Sequence, residues 1–212
     1  MLKTPPYFIA VEGPIGVGKT SLATILANHY NFQLLNEIVY EHPFLDKFYD
    51  DIDSWAFQTE MFFLTNRYKQ LTDINRDFLD QDKSVIADYH LFKNLIFGKM
   101  TLPSHQYDKY EKIYHILEED LPKPNVIIVL NASLETVTGR IEKRNRHFEQ
   151  QIDPNYLTQL IASYHECTNH LKSKQDVPII EINGDEIDFI KYPNHLQSII
   201  SQIDEIIKRG DQ

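Results

Sequence analysis

The chain has 212 residues, 42% of them hydrophobic and 12% aromatic, enough for one well-buried core and a small lid but not for several domains. Its formal net charge of −10 argues against a polynucleotide or an anionic membrane surface as partner, because phosphate polymers would be repelled overall. A single cysteine, Cys167, excludes an intramolecular disulfide and a cysteine-based zinc cluster, and its expected role is helix packing in a reducing compartment.

In chain order, "YFIAVE" at 7–12 reads as a short strand, followed by a glycine-rich turn and the helical spacing of "TSLATILANHY". "FQLLNEIV" predicts a second short strand, "WAFQTEMFFLTNRYKQL" a long apolar helix, and "SVIADYH" a third strand that ends in polar residues. A helical middle leads to the buried strand "NVIIVLNAS", then to a helix from about Leu134. "VPIIEING" supplies a last strand before the C-terminal helix "LQSIISQIDEIIKR". Strands alternating with helices predict an α/β fold, a parallel sheet flanked by helices, over residues 1–212 as one domain. The longest aliphatic stretch, "VIIVL" at 126–130, falls far short of the roughly 20 residues that span a bilayer. "MLKTPPYFIA" lacks a signal-peptide core, so a cytoplasmic location is expected.

The segment "GPIGVGKT" fits the G-x-x-x-x-G-K-[ST] pattern from Gly13 through Pro14, Ile15, Gly16, Val17, Gly18 and Lys19 to Thr20. It lies where the chemistry requires, between a strand and a helix. The glycines let backbone N–H groups converge on phosphate oxygens, the helix N-terminus adds partial positive charge, and Lys19 can span the terminal phosphates. Thr20 would place its hydroxyl on Mg²⁺. The loop therefore predicts a nucleoside triphosphate but does not choose among a GTPase, a motor and a small-molecule kinase. No N-K-x-D guanine-reading motif follows, and the chain is short for a motor.

A kinase also needs an acceptor pocket and mobile positive charge. Glu37 falls at the end of the second predicted strand, where ligands gather in open parallel sheets. It could take a proton from a sugar hydroxyl, or it could be a solvated or capping glutamate. "RIEKRNRHFE" brings Arg140, Arg144 and Arg146 together, the first two on one helix face. They read either as a phosphoryl-neutralising group or as a solvated basic face. Asp88, at the end of the third strand, suits Mg²⁺ directly or through water. The nine histidines show no metal-ligand spacing, which disfavours a zinc hydrolase.

The ordered set "GPIGVGKT", "NEIVYEHPFLDKFYDD", "SWAFQTEMFFLTNRYKQL", "IADYHLFKN" and "RIEKRNRHFE" resembles the deoxynucleoside kinases, over essentially the whole chain. The resemblance implies a P-loop kinase fold with an Arg-rich lid at about 140–150, ATP and Mg²⁺ as cofactors, and a homodimer built through helices beside the sheet. It implies Glu37 as base toward the deoxyribose 5′-hydroxyl, Tyr49 and Glu149 as holders of the 3′-hydroxyl, and Tyr49 as an obstacle to a 2′-hydroxyl. One departure stands out. Where many relatives carry an acidic residue followed by Arg-Ser, this chain reads Asp88-Tyr89-His90, so the charge of that arginine must come from Arg140, Arg144 and Arg146 or with help from His90.

Base choice is predicted to turn on Glu60 and Arg67, seven residues apart and hence on one helix face. Two carboxylate oxygens suit the N1–H and N2 amino donors of guanine, while Arg67 can donate to O6 and N7. Asn94 could steady that arginine. The alternative is that Glu60 and Arg67 form an ion pair with no ligand role. The expected activity is 5′-phosphorylation of a purine deoxynucleoside, foremost deoxyguanosine. Other readings are a deoxyadenosine or broad-specificity kinase, then a nucleoside monophosphate kinase, with Arg67 as its candidate acceptor-phosphate cation, then a nucleotide-sensing P-loop protein without turnover.

Overall fold

The computed structural model describes residues 6–37, 45–146, 149 and 152–210, with the backbone alone for Leu45, Asp46, Tyr49 and Arg209. Five strands, β1 (Phe8–Glu12), β2 (Gln33–Leu35), β3 (Val85–Ala87), β4 (Val126–Asn131) and β5 (Ile179–Asn183), form one parallel sheet in the order β2-β3-β1-β4-β5. The helices are α1 (Lys19–Tyr30), α2 (Leu45–Asp50), α3 (Ile52–Asp77), α4 (Lys93–Thr101), α5 (Ser104–Glu118), α6 (Leu134–Arg144), α7 (Pro154–Lys174) and α8 (Pro193–Gly210).

Period-two alternation assigns the faces of the sheet. In β1, Ile9 and Val11 pack with Leu22 and Leu26 of α1 and Ile199 and Ile203 of α8, while Phe8 and Ala10 turn to the opposite side. There Phe8 joins Leu64 and Leu71 of α3 and Tyr110 and Tyr114 of α5, and Ala10 joins Ile96 of α4 and Tyr164 of α7. Every β1 residue is buried, as expected of a central parallel strand covered on both faces. The predicted α/β architecture is the observed one. Helices α2 and α7 lie beyond the elements read from the sequence, and Cys167 sits half-buried on α7, its thiol pushed up to about 11 by burial.

The chain reverses direction of winding around β1, and the P-loop leaves that strand at its C-terminal edge, where crevices open in such sheets. Gly13 has φ +147, and a Cβ added there would stand 2.3 Å from the Leu130 carbonyl oxygen of β4. That oxygen belongs to a buried strand and has no room to retreat. Gly13→Ala is therefore expected to destabilise the protein by about 1–3 kcal/mol, the usual scale of local backbone strain, visible as a lower urea midpoint together with weaker ATP binding.

Candidate active site

A cavity of about 440 Å³ opens over the C-terminal ends of β1, β2 and β3. One end of it is the P-loop. Gly18 caps α1 in a left-handed conformation and Lys19 begins the helix. Lys19 Nζ donates to the carbonyls of Gly13 (2.8 Å) and Pro14 (3.0 Å). Burial and the nearby Lys93 charge lower its pKa to about 8, against the opposing pull of Glu12, Glu37 and Asp88. Ile15, Gly16, Lys19 and Thr20 line the cavity, whereas Pro14 and Val17 shape the loop from behind.

Asp88 bridges the two halves of the site. Its Oδ2 accepts from Thr20 Oγ1 at 2.6 Å and its Oδ1 from the backbone N–H of Glu37 at 2.6 Å. A hydroxyl and a carboxylate placed together suit Mg²⁺, which takes one or two protein oxygens and completes its shell with water and phosphate. No group of three or more His, Cys, Asp or Glu residues able to hold a metal occurs among the described residues.

Glu37 lies two residues beyond β2, nearly buried between two cations. Arg67 donates Nε to Oε1 at 3.0 Å and also bonds it through NH2. Lys93 Nζ reaches Oε1 at 2.9 Å and Oε2 at 2.8 Å. Burial alone would raise the Glu37 pKa, but Lys93, Arg67 and Lys19 outweigh it and hold the carboxyl well below the usual carboxylate range. The solvated-glutamate alternative does not describe this residue.

Arg67 is steadied by Asn94 as expected, NH1 donating to Oδ1 at 2.9 Å, and Asn94 in turn donates to the Tyr110 hydroxyl at 2.8 Å. Its carboxylate partner, however, is Glu37 and not Glu60. Glu60 accepts from Thr101 Oγ1 at 3.2 Å, and burial pushes its pKa up to about 7 against the Arg67 charge, the Thr101 bond and Lys93. Both Glu60 and Arg67 face the cavity, as their seven-residue spacing requires, and Phe63 lies between them on the same helix with its ring 4.6 Å from the Arg67 guanidinium carbon.

The arginine run divides. Arg144 closes α6 and pairs with the buried Glu149 through Nε (3.0 Å) and NH2, while Arg146 stands 3.6 Å from the same carboxylate. These three line the cavity. Arg140 does not join them: its NH1 donates to the Val17 carbonyl (2.7 Å) and its NH2 to the Gly184 carbonyl (2.9 Å), so it braces the P-loop from outside. An i, i+4 spacing puts two Cβ atoms on one face, but long guanidinium arms then follow whichever acceptors are in reach. Of the two sources of charge that the sequence leaves open, His90 is not the one the geometry favours. Its ring packs between Phe8 and Phe92, Nδ1 accepts from the Phe92 N–H, and burial lowers its pKa to about 4. The side chain of Tyr49 lies outside the described residues.

Sequence reasoning overlooked Lys93, whose signal was a lysine in the first turn of a helix, where the dipole disfavours a cation. It also overlooked Glu12, fully buried at the end of β1 and accepting from the N–H groups of Gly13 and His90 and from the Tyr164 hydroxyl. Burial raises the Glu12 pKa against the charges of Lys93 and Lys19.

The family profile described as deoxynucleoside kinase matches residues 9–208. The chain is 49% identical over 207 residues to the deoxyguanosine kinase of Bacillus subtilis (strain 168), covering 97% of this chain and 100% of that one. It is 35% identical to the deoxyadenosine kinase of Lactobacillus acidophilus, covering 94% and 96%. A solved structure of deoxyadenosine kinase from M. mycoides with bound dATP superposes with a TM-score of 0.79 at 25% identity, over 93% of this chain and 99% of that one. Among the described residues no helix is long and apolar enough to cross a membrane. A phosphate loop, a carboxylate held between two cations at the wall of the cavity, and a profile match over nearly all residues place this chain in the deoxynucleoside kinase family.

Proposed function

We propose that the protein transfers the γ-phosphoryl group of ATP to the 5′-hydroxyl of deoxyguanosine. The observation that carries the choice of base is the placement of Glu60 and Arg67 on one face of α3, both buried and both lining the cavity alongside Phe48, Phe63 and Phe97. Once ionised, Glu60, which among the described residues accepts from the Thr101 hydroxyl, matches two adjacent donors on a ligand better than it matches the N1 acceptor of adenine. The identity with the B. subtilis deoxyguanosine kinase supports the same reading. The monophosphate-kinase alternative loses support because the charge of Arg67, its candidate phosphate cation, is already offset by Glu37, whereas the guanidinium N–H groups not used by Glu37 and Asn94 can still donate to neutral base atoms.

In this mechanism the P-loop and Lys19 hold the donor phosphates, and Glu37 takes the 5′-hydroxyl proton. Arg144 and Arg146 neutralise charge on the transferred group, and Glu149 with Tyr49 holds the 3′-hydroxyl. Mg²⁺ would be held by Thr20 and Asp88 and would supply charge neutralisation at the phosphates. A homodimer is proposed on the family resemblance, and sedimentation velocity tests it.

The deciding experiment measures kcat/KM for deoxyguanosine and deoxyadenosine in wild type and in Glu60→Gln. The amide sets a donor against a guanine donor, so the guanine preference is expected to fall by about 1–3 kcal/mol. An unchanged ratio, or a wild-type preference for a pyrimidine, overturns this assignment of the pocket. Stability gives a second readout. The folded pKa of Glu60 lies near 7, above the ordinary value of about 4.3, so the fold retains this proton while the unfolded chain releases it. Ligand-free wild type should thus lose stability as pH rises from about 4.5 to 7, by on the order of 3 kcal/mol from this group. The difference between wild-type and Glu60→Gln urea midpoints at pH 5 and pH 8 isolates that contribution.

A further inference from the structure

The strand end Asp88-Tyr89-His90 brings no positive charge to the acceptor. The Tyr89 ring is fully buried and its hydroxyl donates to Gln70 Oε1 at 2.8 Å, while His90 is enclosed between phenylalanines. One turn later the chain places an ammonium where stability alone would not. Lys93 is the first residue of α4, its side chain is 6% exposed, and it faces the positive end of that helix. Desolvating a lysine there is costly unless charge and geometry compensate. The compensation is specific: Nζ grips both oxygens of Glu37, at 2.9 and 2.8 Å, lies 5.6 Å from the Phe97 ring centre, and borders the cavity.

We propose that Lys93 is a positioning residue of the phosphoryl transfer, orienting Glu37 toward the acceptor hydroxyl and carrying the acceptor-side positive charge through the reaction. The inference rests on the proposed role of Glu37 as proton acceptor. In the step itself the 5′-hydroxyl proton passes to the Glu37 carboxylate, the O5′ electron pair forms the bond to the γ-phosphorus, and the bond from that phosphorus to the β,γ-bridging oxygen breaks, its electrons leaving with ADP. Lys93 keeps all three of its protons. As Glu37 is neutralised, the ammonium loses its counter-charge at the moment when negative charge is present on the adjacent phosphoryl oxygens. Its attraction passes from one to the other without rearrangement of the protein. An interaction stronger in the transition state than in the ground state lowers the barrier.

The test compares Lys93→Met, Lys93→Gln and Lys93→Arg with wild type in steady-state kinetics, alongside direct binding of a fluorescent ATP analogue. The two neutral variants are expected to lose about 10²-fold in kcat while ATP affinity stays within a few-fold, and Lys93→Arg should recover at least a tenth of wild-type turnover. In Lys93→Ala, methylammonium or ethylammonium ions should raise turnover and ethanol should not, a response that a purely structural lysine would not give. Equal turnover in the neutral and charged variants, or a loss in Lys93→Ala indifferent to amines, overturns the inference. Glu37→Gln, assayed in parallel, separates the two ideas. Full activity in that variant overturns the role of Glu37, whereas full activity in Lys93→Met with Glu37→Gln inactive overturns only the role of Lys93.

Discussion

Replacing Glu37 by glutamine is expected to lower kcat by about 10² to 10⁴, the usual contribution of a general base, while ATP affinity is retained. In the proposed mechanism the carboxylate, placed by β2 beside the P-loop, is the proton acceptor, and its amide analogue cannot take a proton from the sugar hydroxyl. The substitution has a second consequence. Arg67 and Lys93 both converge on Glu37, so the amide leaves two buried cations without a counter-charge and sets its own N–H₂ group against their donors. Removing one member of a buried ion pair typically costs about 3–5 kcal/mol, and the unfolding midpoint should fall accordingly. Kinetics are therefore to be measured well below that midpoint, with ATP binding confirming that the donor half is intact. Wild-type turnover in the folded variant would remove Glu37 from the chemistry.

Arg144→Ala is expected to reduce kcat by about 10³-fold, ~4 kcal/mol, at the lower end of what an arginine contributes when it neutralises a transferred phosphoryl group. The lower end applies because Arg146 remains nearby and shares the same carboxylate. Arg144 also holds Glu149, so its loss has a rival explanation in which only the 3′-hydroxyl contact is disturbed. The two differ in which constant moves. If Arg144 serves solely to orient Glu149, the alanine variant raises KM for the nucleoside and leaves kcat near wild type. If it clamps the phosphoryl group, kcat falls, and Glu149→Gln, which keeps Arg144, reproduces only the KM effect.

The parts of this molecule that are local in sequence were legible in it. The short apolar run Phe8–Val11 and the aliphatic run at 126–130 report parallel strands buried on both faces, because a continuous apolar run is a property of consecutive residues. The loop from Gly13 to Thr20 was legible because its glycines answer a backbone requirement. Partner choice was not. Arg67 has Glu60 two turns away on its own helix, yet it bonds Glu37, 30 residues distant, because the packing of α3 against the end of β2 brings that carboxylate closer. Arg140 parts from Arg144 for the same reason, since the carbonyls of Val17 and Gly184 come within reach only after β1, β4 and β5 have assembled. Lys93 was hidden by the family pattern itself, which directs attention to the residue after Asp88 and not to the fifth.

Asp88 has a consequence for how the two substrates keep their distance. The phosphate loop follows β1 and Glu37, the proposed proton acceptor, follows β2, and these strands are not neighbours, since β3 lies between them. The two oxygens of one carboxylate at the tip of that middle strand hold Thr20 on one side and the main chain of Glu37 on the other, each at 2.6 Å. Sliding or twisting of β3 is therefore transmitted to donor and acceptor alike, as a common-mode displacement that leaves their separation unaltered. Where a misplacement of about 1 Å can cost 10²-fold in rate, a sheet that breathes can still keep its reactants in register if both are gauged from the same side chain.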